Sequence, residues 1–302
     1  MTAGTGCDWA AYSPASWIAV TPETASGSGT ATVLIAANPG PQRQSWIAVG
    51  GIVATVTQAS AAQAAGPEIS LVSTIAGGVQ ATAPNTWLSI FGVNLSATQR
   101  TWQSSDFVNG QMPTALDGVS VSVNGKPAFV EYVSPTQINV LTPLDTTLGT
   151  VQVTVTIAGA TSPPVWLPMR AAVPGFFQFS GSPYVAATHA AGNLLGPTSL
   201  YPGATTPAAP GETVTIYGSG FGQTTPPLVS GSAASQSGAL SGVGIQVGGI
   251  AASVAFAGGV SPGLYQFNVV IPAGAAPGDN PTRATYAGMI TPAGALISVG
   301  AQ

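Results

Sequence analysis

Leu88-Ser89-Ile90-Phe91-Gly92-Val93-Asn94-Leu95 is an alternating apolar run that ends on a glycine corner, and its pattern returns as Val214-Thr215-Ile216-Tyr217-Gly218-Ser219-Gly220-Phe221. The residues downstream of the two copies match as well. After the first come the alternating residues 119–123, Asn124-Gly125, Tyr132, Pro135, Gln137-Ile138-Asn139-Val140 and Pro143. After the second come 243–247, Gly248-Gly249, Phe256, Pro262, Gln266-Phe267-Asn268-Val269 and Pro272. Alternation with period two puts one set of side chains on a core face and the other outward, which is the pattern of a half-buried strand. Two-residue Asn-Gly or Gly-Gly turns close hairpins between such strands. A unit of this kind, repeated after about 125 residues, is a duplicated β-module.

Working outward, the 302 residues leave room for two or three domains. Gly 39 and Pro 26 interrupt almost every window long enough for a helix, and they suit short strands and tight turns. Segment 1–66 has strand patterns over 17–20, 30–36, 45–49 and 52–58, a Gly50-Gly51 hairpin turn, and a small-residue linker from Ala59 to Gly66. Segment 67–172 has strand patterns over 69–73, 87–91, 119–123, 128–133, 137–141 and 151–157. Segment 173–302 repeats it behind an added front portion in which Phe176, Phe177 and Phe179 are expected to pack between the second and third domains. The predicted fold is all-β: three tandem immunoglobulin-like β-sandwich domains in an elongated rod.

Charge is scarce. Charged residues make up 5% of the chain, the net charge is -4, and Lys126, Arg43, Arg100, Arg170 and Arg283 are the only cations. A typical soluble domain is about a quarter charged. Nucleic-acid binding needs clustered cations and is excluded. No run of 18 apolar residues exists, so no membrane span is expected. Gly4-Thr5-Gly6 precedes Cys7 with no apolar run, which argues against a lipoprotein anchor or a signal peptide. Cys7, the only cysteine, is expected to be a small buried residue.

Three resemblances cover nearly the whole chain. Cys7-Asp8-Trp9, Trp17-Ile18-Ala19-Val20, Gly27-Ser28-Gly29-Thr30, Asn38-Pro39-Gly40 with Arg43, and Thr55-Val56-Thr57-Gln58-Ala59 resemble a BACON domain, a bacterial family found with carbohydrate-active enzymes. That family carries one or two strands before its Cys-x-Trp element, and six residues stand there in this chain. The resemblance therefore implies a missing opening strand. Phe91-Gly92-Val93-Asn94-Leu95 and Val123-Asn124-Gly125-Lys126-Pro127-Ala128 are similar to the glycine corner and hairpin of an IPT/TIG immunoglobulin-like domain. Val173-Pro174-Gly175-Phe176-Phe177, Ala187-Thr188-His189, Pro210-Gly211-Glu212-Thr213-Val214, Tyr217-Gly218-Ser219-Gly220-Phe221-Gly222 and Pro262-Gly263-Leu264-Tyr265-Gln266-Phe267-Asn268-Val269 resemble a C-terminal domain of secreted Acidobacteria proteins. Together they imply an exported or surface protein with no catalytic role.

The residues themselves offer little chemistry. His189 is the only histidine, no acidic residue lies within twenty positions, and it reads as a turn residue; Glu212 is a distant alternative partner. One Cys and one His cannot make a zinc site, the acids are spread out, and Gly278-Asp279-Asn280 reads as a turn before it reads as a calcium loop. Asp145 stands alone among threonines. Lys126, being the only lysine and expected in solvent, rules out a Lys–Asn cross-link in every domain. No cofactor and no metal are expected. Glycan binding would use exposed rings beside polar groups, and Trp102, in the polar segment from Arg100 to Asp106, is the best candidate. Packing against a neighbouring domain or subunit is its competing role. Trp9, Trp17, Trp46, Trp87 and Trp166 stand in strand patterns and read as core or interface.

The expectation from sequence is a non-enzymatic extracellular protein, a subunit of a self-associating homopolymer or filament. A charge-poor exterior favours association. An unpaired edge in the first domain would accept a strand from another subunit, with Leu296, Ile297 and Val299 of the apolar tail as one donor, a tail that equally well closes its own sandwich, and with Trp9 and Trp17 at the subunit interface. The alternative is a carbohydrate-binding or adhesion module with Trp102, Arg100 and Asp106 at its ligand site.

Overall fold

The computed structural model describes residues 2, 4–58, 66–234 and 236–301. The sequence-predicted linker lies outside them apart from Gly66. The chain divides into two compact units, Met1–Ala65 and Gly66–Gln302. Strands dominate both, and the described residues hold no α-helix.

The first unit has strands β1 (Asp8–Tyr12), β2 (Ile18–Thr21), β3 (Thr24–Ser26), β4 (Thr32–Ile35), β5 (Arg43–Val49) and β6 (Ile52–Gln58). One layer is the four-stranded sheet β3-β1-β5-β6; the other is the pair β2-β4. Alternation in β1 buries Trp9 and Ala11 against Ile18 and Val20. The Trp9 indole donates to the Gly27 carbonyl at 2.8 Å. Trp17 is half-buried with the Arg43 guanidinium 4.3 Å above its ring, so Trp9 and Trp17 build the unit's own interior instead of an interface. β1 pairs with β3 over Asp8–Ala10 but with β5 only at Ala11 and Tyr12, so, among the described residues, 43–47 of β5 have no strand partner on the β1 side, which leaves an unpaired edge in this sheet. Cys7 is exposed, not buried.

The second unit contains two sandwiches with separate cores. The first of them uses β7 (Glu68–Thr74), β8 (Trp87–Val93), β9 (Val119–Val123), β10 (Phe129–Val133), β11 (Gln137–Leu141), β12 (Gly149–Ile157) and β13 (Val165–Met169). One sheet runs β7-β8-β11-β10, the other β9-β12-β13. This is the four-plus-three strand order of an immunoglobulin constant-type sandwich. Strict alternation in β9 sends Val119, Val121 and Val123 into the core. Fully burying such a side chain contributes roughly 1.5–3 kcal/mol. Asn124 and Gly125 turn the next hairpin at φ 52 and 76, both left-handed, as an Asn-Gly pair permits.

The other sandwich repeats this design with β14 (Gly175–Phe176), β15 (Thr213–Ser219), β16 (Gly244–Val247), β17 (Ile250–Ser261), β18 (Leu264–Val270), β19 (Gly278–Tyr286) and β20 (Leu296–Val299). β14-β15-β18-β17 form one layer and β16-β19-β20 the other. Equivalent residues pair identically in the two copies. Asn139 faces Ser89 where Asn268 faces Thr215, and a bulge falls after Val130 where its counterpart falls after Val254. Of the two uses open to the tail, the structure shows the closing of its own sandwich and not donation: Leu296 to Val299 pair with 278–281 of β19, and Ile297 and Val299 are buried in their own core. Gly278 to Asn280 open a strand, and Asn280 donates to the Ala276 and Gly278 carbonyls.

These two sandwiches are not separate beads. The Trp87 amide donates to the Ser219 hydroxyl at 3.3 Å, Met112 to the Gly231 carbonyl at 2.7 Å and Ala233 to the Gly110 carbonyl at 2.8 Å. At Gly175 a Cβ would run into the backbone carbonyl of Ala76. Of the three phenylalanines expected between domains, Phe176 packs in the third core against Phe221 and Phe267, Phe179 stacks on Tyr201, and Phe177 alone faces the neighbouring sandwich's rings.

Asp145, 2% exposed, accepts hydrogen bonds from Asn124 Nδ2, the Thr147 amide and hydroxyl, and Lys126 Nζ at 3.1 Å. Burial by itself disfavours the carboxylate, but these donors together outweigh it and hold Asp145 well below the usual range. Lys126 is thus paired with Asp145, against the expectation of a free surface lysine. The Gly175→Ala variant is expected to lose about 1–3 kcal/mol of stability through overpacking at the Ala76 carbonyl, read as a lowered midpoint in urea.

Candidate functional site

Trp102 follows the short strand Arg100–Thr101, which pairs with Val133 and Tyr132 at the edge of β10. Its amide donates to the Glu131 carbonyl at 2.8 Å. Glu131 is the extra residue of the β10 bulge, so the bulge fixes the indole beside that carboxyl. Across the sheet, β8 alternates. Leu88 and Ile90 face the core and Trp87 stands on the outer face. The Trp87 and Trp102 rings meet edge to face, 5.9 Å apart at 71°, and Phe107 continues the cluster 5.1 Å from Trp102.

These rings border a cleft of about 370 Å³ lined by Ile75, Trp87, Trp102, Glu131, Asn139 and Phe177. Phe177 comes from the third sandwich, so the cleft exists only where the two sandwiches meet. Its polar side is an ordered ladder. Gln137 Nε2 and the Ser89 hydroxyl both donate to Asn139 Oδ1 at 2.9 Å, and Asn139 Nδ2 donates to Glu131 Oε2 at 3.3 Å. Burial raises the Glu131 pKa, partly offset by the Asn139 bond. Rings on one side with a carboxyl and amide on the other suit a polyhydroxylated ligand, whose C–H faces stack while its hydroxyls hydrogen-bond.

Of the three residues given to ligand binding by the sequence, the structure brings only Trp102 to the cleft. Arg100 donates to Asp106 through two nitrogens at 2.7 and 3.0 Å and to Asp117 through Nε at 2.9 Å. Hydrogen bonding to Arg100 lowers Asp117 and, with the Gln103 amide, lowers Asp106 to about 2. Arg100 and Asp106 brace the loop that carries Trp102. Sequence reasoning missed Trp87, Phe177 and Glu131. The alternation of β8 was the available signal for Trp87. Trp46 and Trp166, read as core or interface, are 36% and 60% exposed.

His189 is not a turn residue. It ends the short strand Ala187–His189, with Nδ1 2.6 Å from Glu212 Oε1 and Nε2 3.0 Å from both the hydroxyl and the carbonyl of Thr206. Glu212 also accepts the Ala209 amide at 2.8 Å. An acid, a histidine and a hydroxyl in line are the parts of a nucleophilic relay. Here Nε2 also faces a carbonyl, and His189 and Thr206 line neither the aromatic cleft nor the hollows of the first unit. The group ties the 190–212 segment to β15. No group of three or more His, Cys, Asp or Glu able to hold a metal occurs among the described residues. None of their helices is long and apolar enough to cross a membrane.

No protein-family model matches the chain, and no curated protein does. Among solved structures it is similar to SGBP-B of the Bacteroides ovatus mixed-linkage glucan utilization locus, in complex with a mixed-linkage heptasaccharide. That match has 10% identity and a TM-score of 0.33 over 100% of this chain and 65% of the other. This chain thus spans less than two thirds of that protein. The I9–I11 tandem of titin matches at 8% identity and TM-score 0.28, over 97% of this chain and 87% of the tandem. The Escherichia coli adhesin FdeC matches at 12% and 0.25, over 99% and 88%.

A carboxyl whose folded pKa is raised costs the fold stability as pH climbs through its unfolded value, about 4.3 for glutamate. Glu131→Gln is therefore expected to melt higher than the parent at pH 7. The gap should close below about pH 4, where the parent carboxyl is protonated, as thermal melts at several pH values will show.

Proposed function

We propose that this chain is a non-enzymatic, extracellular carbohydrate-binding or adhesion module that takes a neutral glycan in the cleft of Trp87, Trp102 and Phe177. The observation that carries this reading is the cleft itself: three rings from two sandwiches facing the Glu131–Asn139 pair. Its chemistry is selective for sugars. The rings accept the apolar face of a pyranose, and the amide–carboxyl pair accepts and donates to its hydroxyls. Nothing in the cleft is cationic, which leaves anionic polymers without a counter-charge. The resemblance of the three segments to surface-protein domains supports the same compartment. The His189 group acts as a tie between segments in this reading, and the ligand leaves unchanged.

A glycan array probed with the whole chain should give selective binding. Trp102→Ala and Trp87→Ala should each weaken it about tenfold or more, with the glycan recovered intact after overnight incubation. Undiminished binding in both variants would remove the cleft from the function.

Self-assembly is the second reading, and one observation favours it. In the first unit the edge strand β6 carries no charge and no proline, pairs with β5 without a bulge over seven residues, and exposes Ile52 (74%) and Val53 (62%). Folded proteins usually block such edges. The opposing layer has two strands, with Leu34 71% exposed. With the tail used in its own sandwich, an incoming strand would come from elsewhere in a neighbouring copy. Electron microscopy of the purified chain should show repeating fibres that Val53→Lys abolishes. Dispersed particles at high concentration would dispose of this reading.

A further inference from the structure

The outer face of the first unit's larger sheet carries a second set of rings. In β5, Ile47 and Val49 face the core with Val56 of β6, so Gln44, Trp46 and Ala48 face out. The register aligns Tyr12, Ala48 and Val53 in one row across β1, β5 and β6. Trp46 and Thr55 form the next row, and Gln44 and Thr57 the one after. Tyr12 is 55% exposed and Trp46 36%, and their rings meet edge to face at 5.4 Å and 76°. Ala48, opposite Tyr12 in the register, is 7% exposed. A hollow of about 490 Å³ opens over Asp8, Ala10, Tyr12, Trp46, Ala48 and Val53.

We infer that this face is a second carbohydrate-contact surface, one that takes an extended neutral polysaccharide. The inference extends the glycan reading of the cleft to a different unit of the chain. Four features point to a sugar. The rings are exposed and fixed in place: the Ser13 hydroxyl donates to the Trp46 carbonyl at 2.8 Å, and β5 pairs with β6 along its whole length and with β1 at Ala48 and Val49. The rows beside the rings are hydroxyls and amides, with Gln44 Nε2 donating to the Thr57 hydroxyl at 3.2 Å. The only charge on the hollow is Asp8, so an uncharged chain meets no opposing field while an anionic one meets repulsion. The three rows extend about 14 Å along the strands and about 10 Å across them, a strip suited to a linear polymer.

The test uses the whole chain in affinity gels of mixed-linkage β-glucan, xyloglucan, xylan and mannan. Trp46→Ala and Val53→Lys remove a ring and crowd the face; Trp46→Phe keeps an aromatic. On at least one polymer, Trp46→Ala and Val53→Lys should cut retention about fivefold while Trp46→Phe holds most of it. Near-UV circular dichroism checks that the variants are folded. Unchanged retention in both disruptive variants on all four polymers overturns the inference. So does a change in sedimentation coefficient without a change in retention, which would make the face a contact between copies. Trp102→Ala separates the two proposals. Loss only in Trp102→Ala leaves the cleft and removes this face, and loss only in Trp46→Ala does the reverse.

Discussion

Ala76 and Gly175 touch where Gly175 offers no side chain, and that close approach sets the spacing of the two sandwiches in the larger unit. Everything at the aromatic cleft depends on it. Ile75 is the neighbour of Ala76 and Phe177 lies two residues beyond Gly175, so the same contact delivers an apolar residue from each sandwich to the rim around Trp87. The bond from the Trp87 amide to the Ser219 hydroxyl crosses between the same two sandwiches. A longer connection would leave Trp87 and Trp102 as two rings on an open sheet. With this one they form a walled cleft.

The duplication explains how the site was built. Both copies keep the strand order, the bulge, and an amide ladder in which Gln266 donates to Asn268 as Gln137 donates to Asn139. These features hold the sheets together in either copy. The difference that makes the cleft lies on the outer face. Where the first copy has Trp87 and Glu131, the second has Thr213 and Ala255 at the matching register positions. Residues that turn outward do not contribute to the core, so they can diverge while the buried apolar positions keep the fold.

Much of the fold was legible because its signals are local. The alternation of 119–123, the Asn124-Gly125 turn and the repeat all carry their meaning within a few residues. β1 was missed because Asp8-Trp9-Ala10-Ala11-Tyr12 is short and alanine-rich. β13 was missed because Pro168 argues against a strand interior, although it pairs with Thr150 at the end of β12. The tail stayed open between two uses because an apolar strand looks the same whether it closes its own sandwich or another; the repeat held the answer, since the first copy ends in the corresponding strand β13. At the site, Trp102 stood out by its polar neighbours. Glu131 and Phe177 could not, because a bulge and an interdomain approach leave no mark in the residues that they bring together.

The pairing of Arg100 with Asp106 and Asp117, and of Lys126 with Asp145, has a consequence for where this protein can work. Arg43 likewise donates to Gln58 and to two carbonyls. Most of a small stock of cations is thus spent inside the fold, and little fixed charge is left to reach outward. Mobile ions screen long-range attraction and repulsion between exposed charges, and leave ring stacking and apolar contact largely untouched. A neutral ligand held as proposed in the cleft would be gripped about equally in fresh water and in brine.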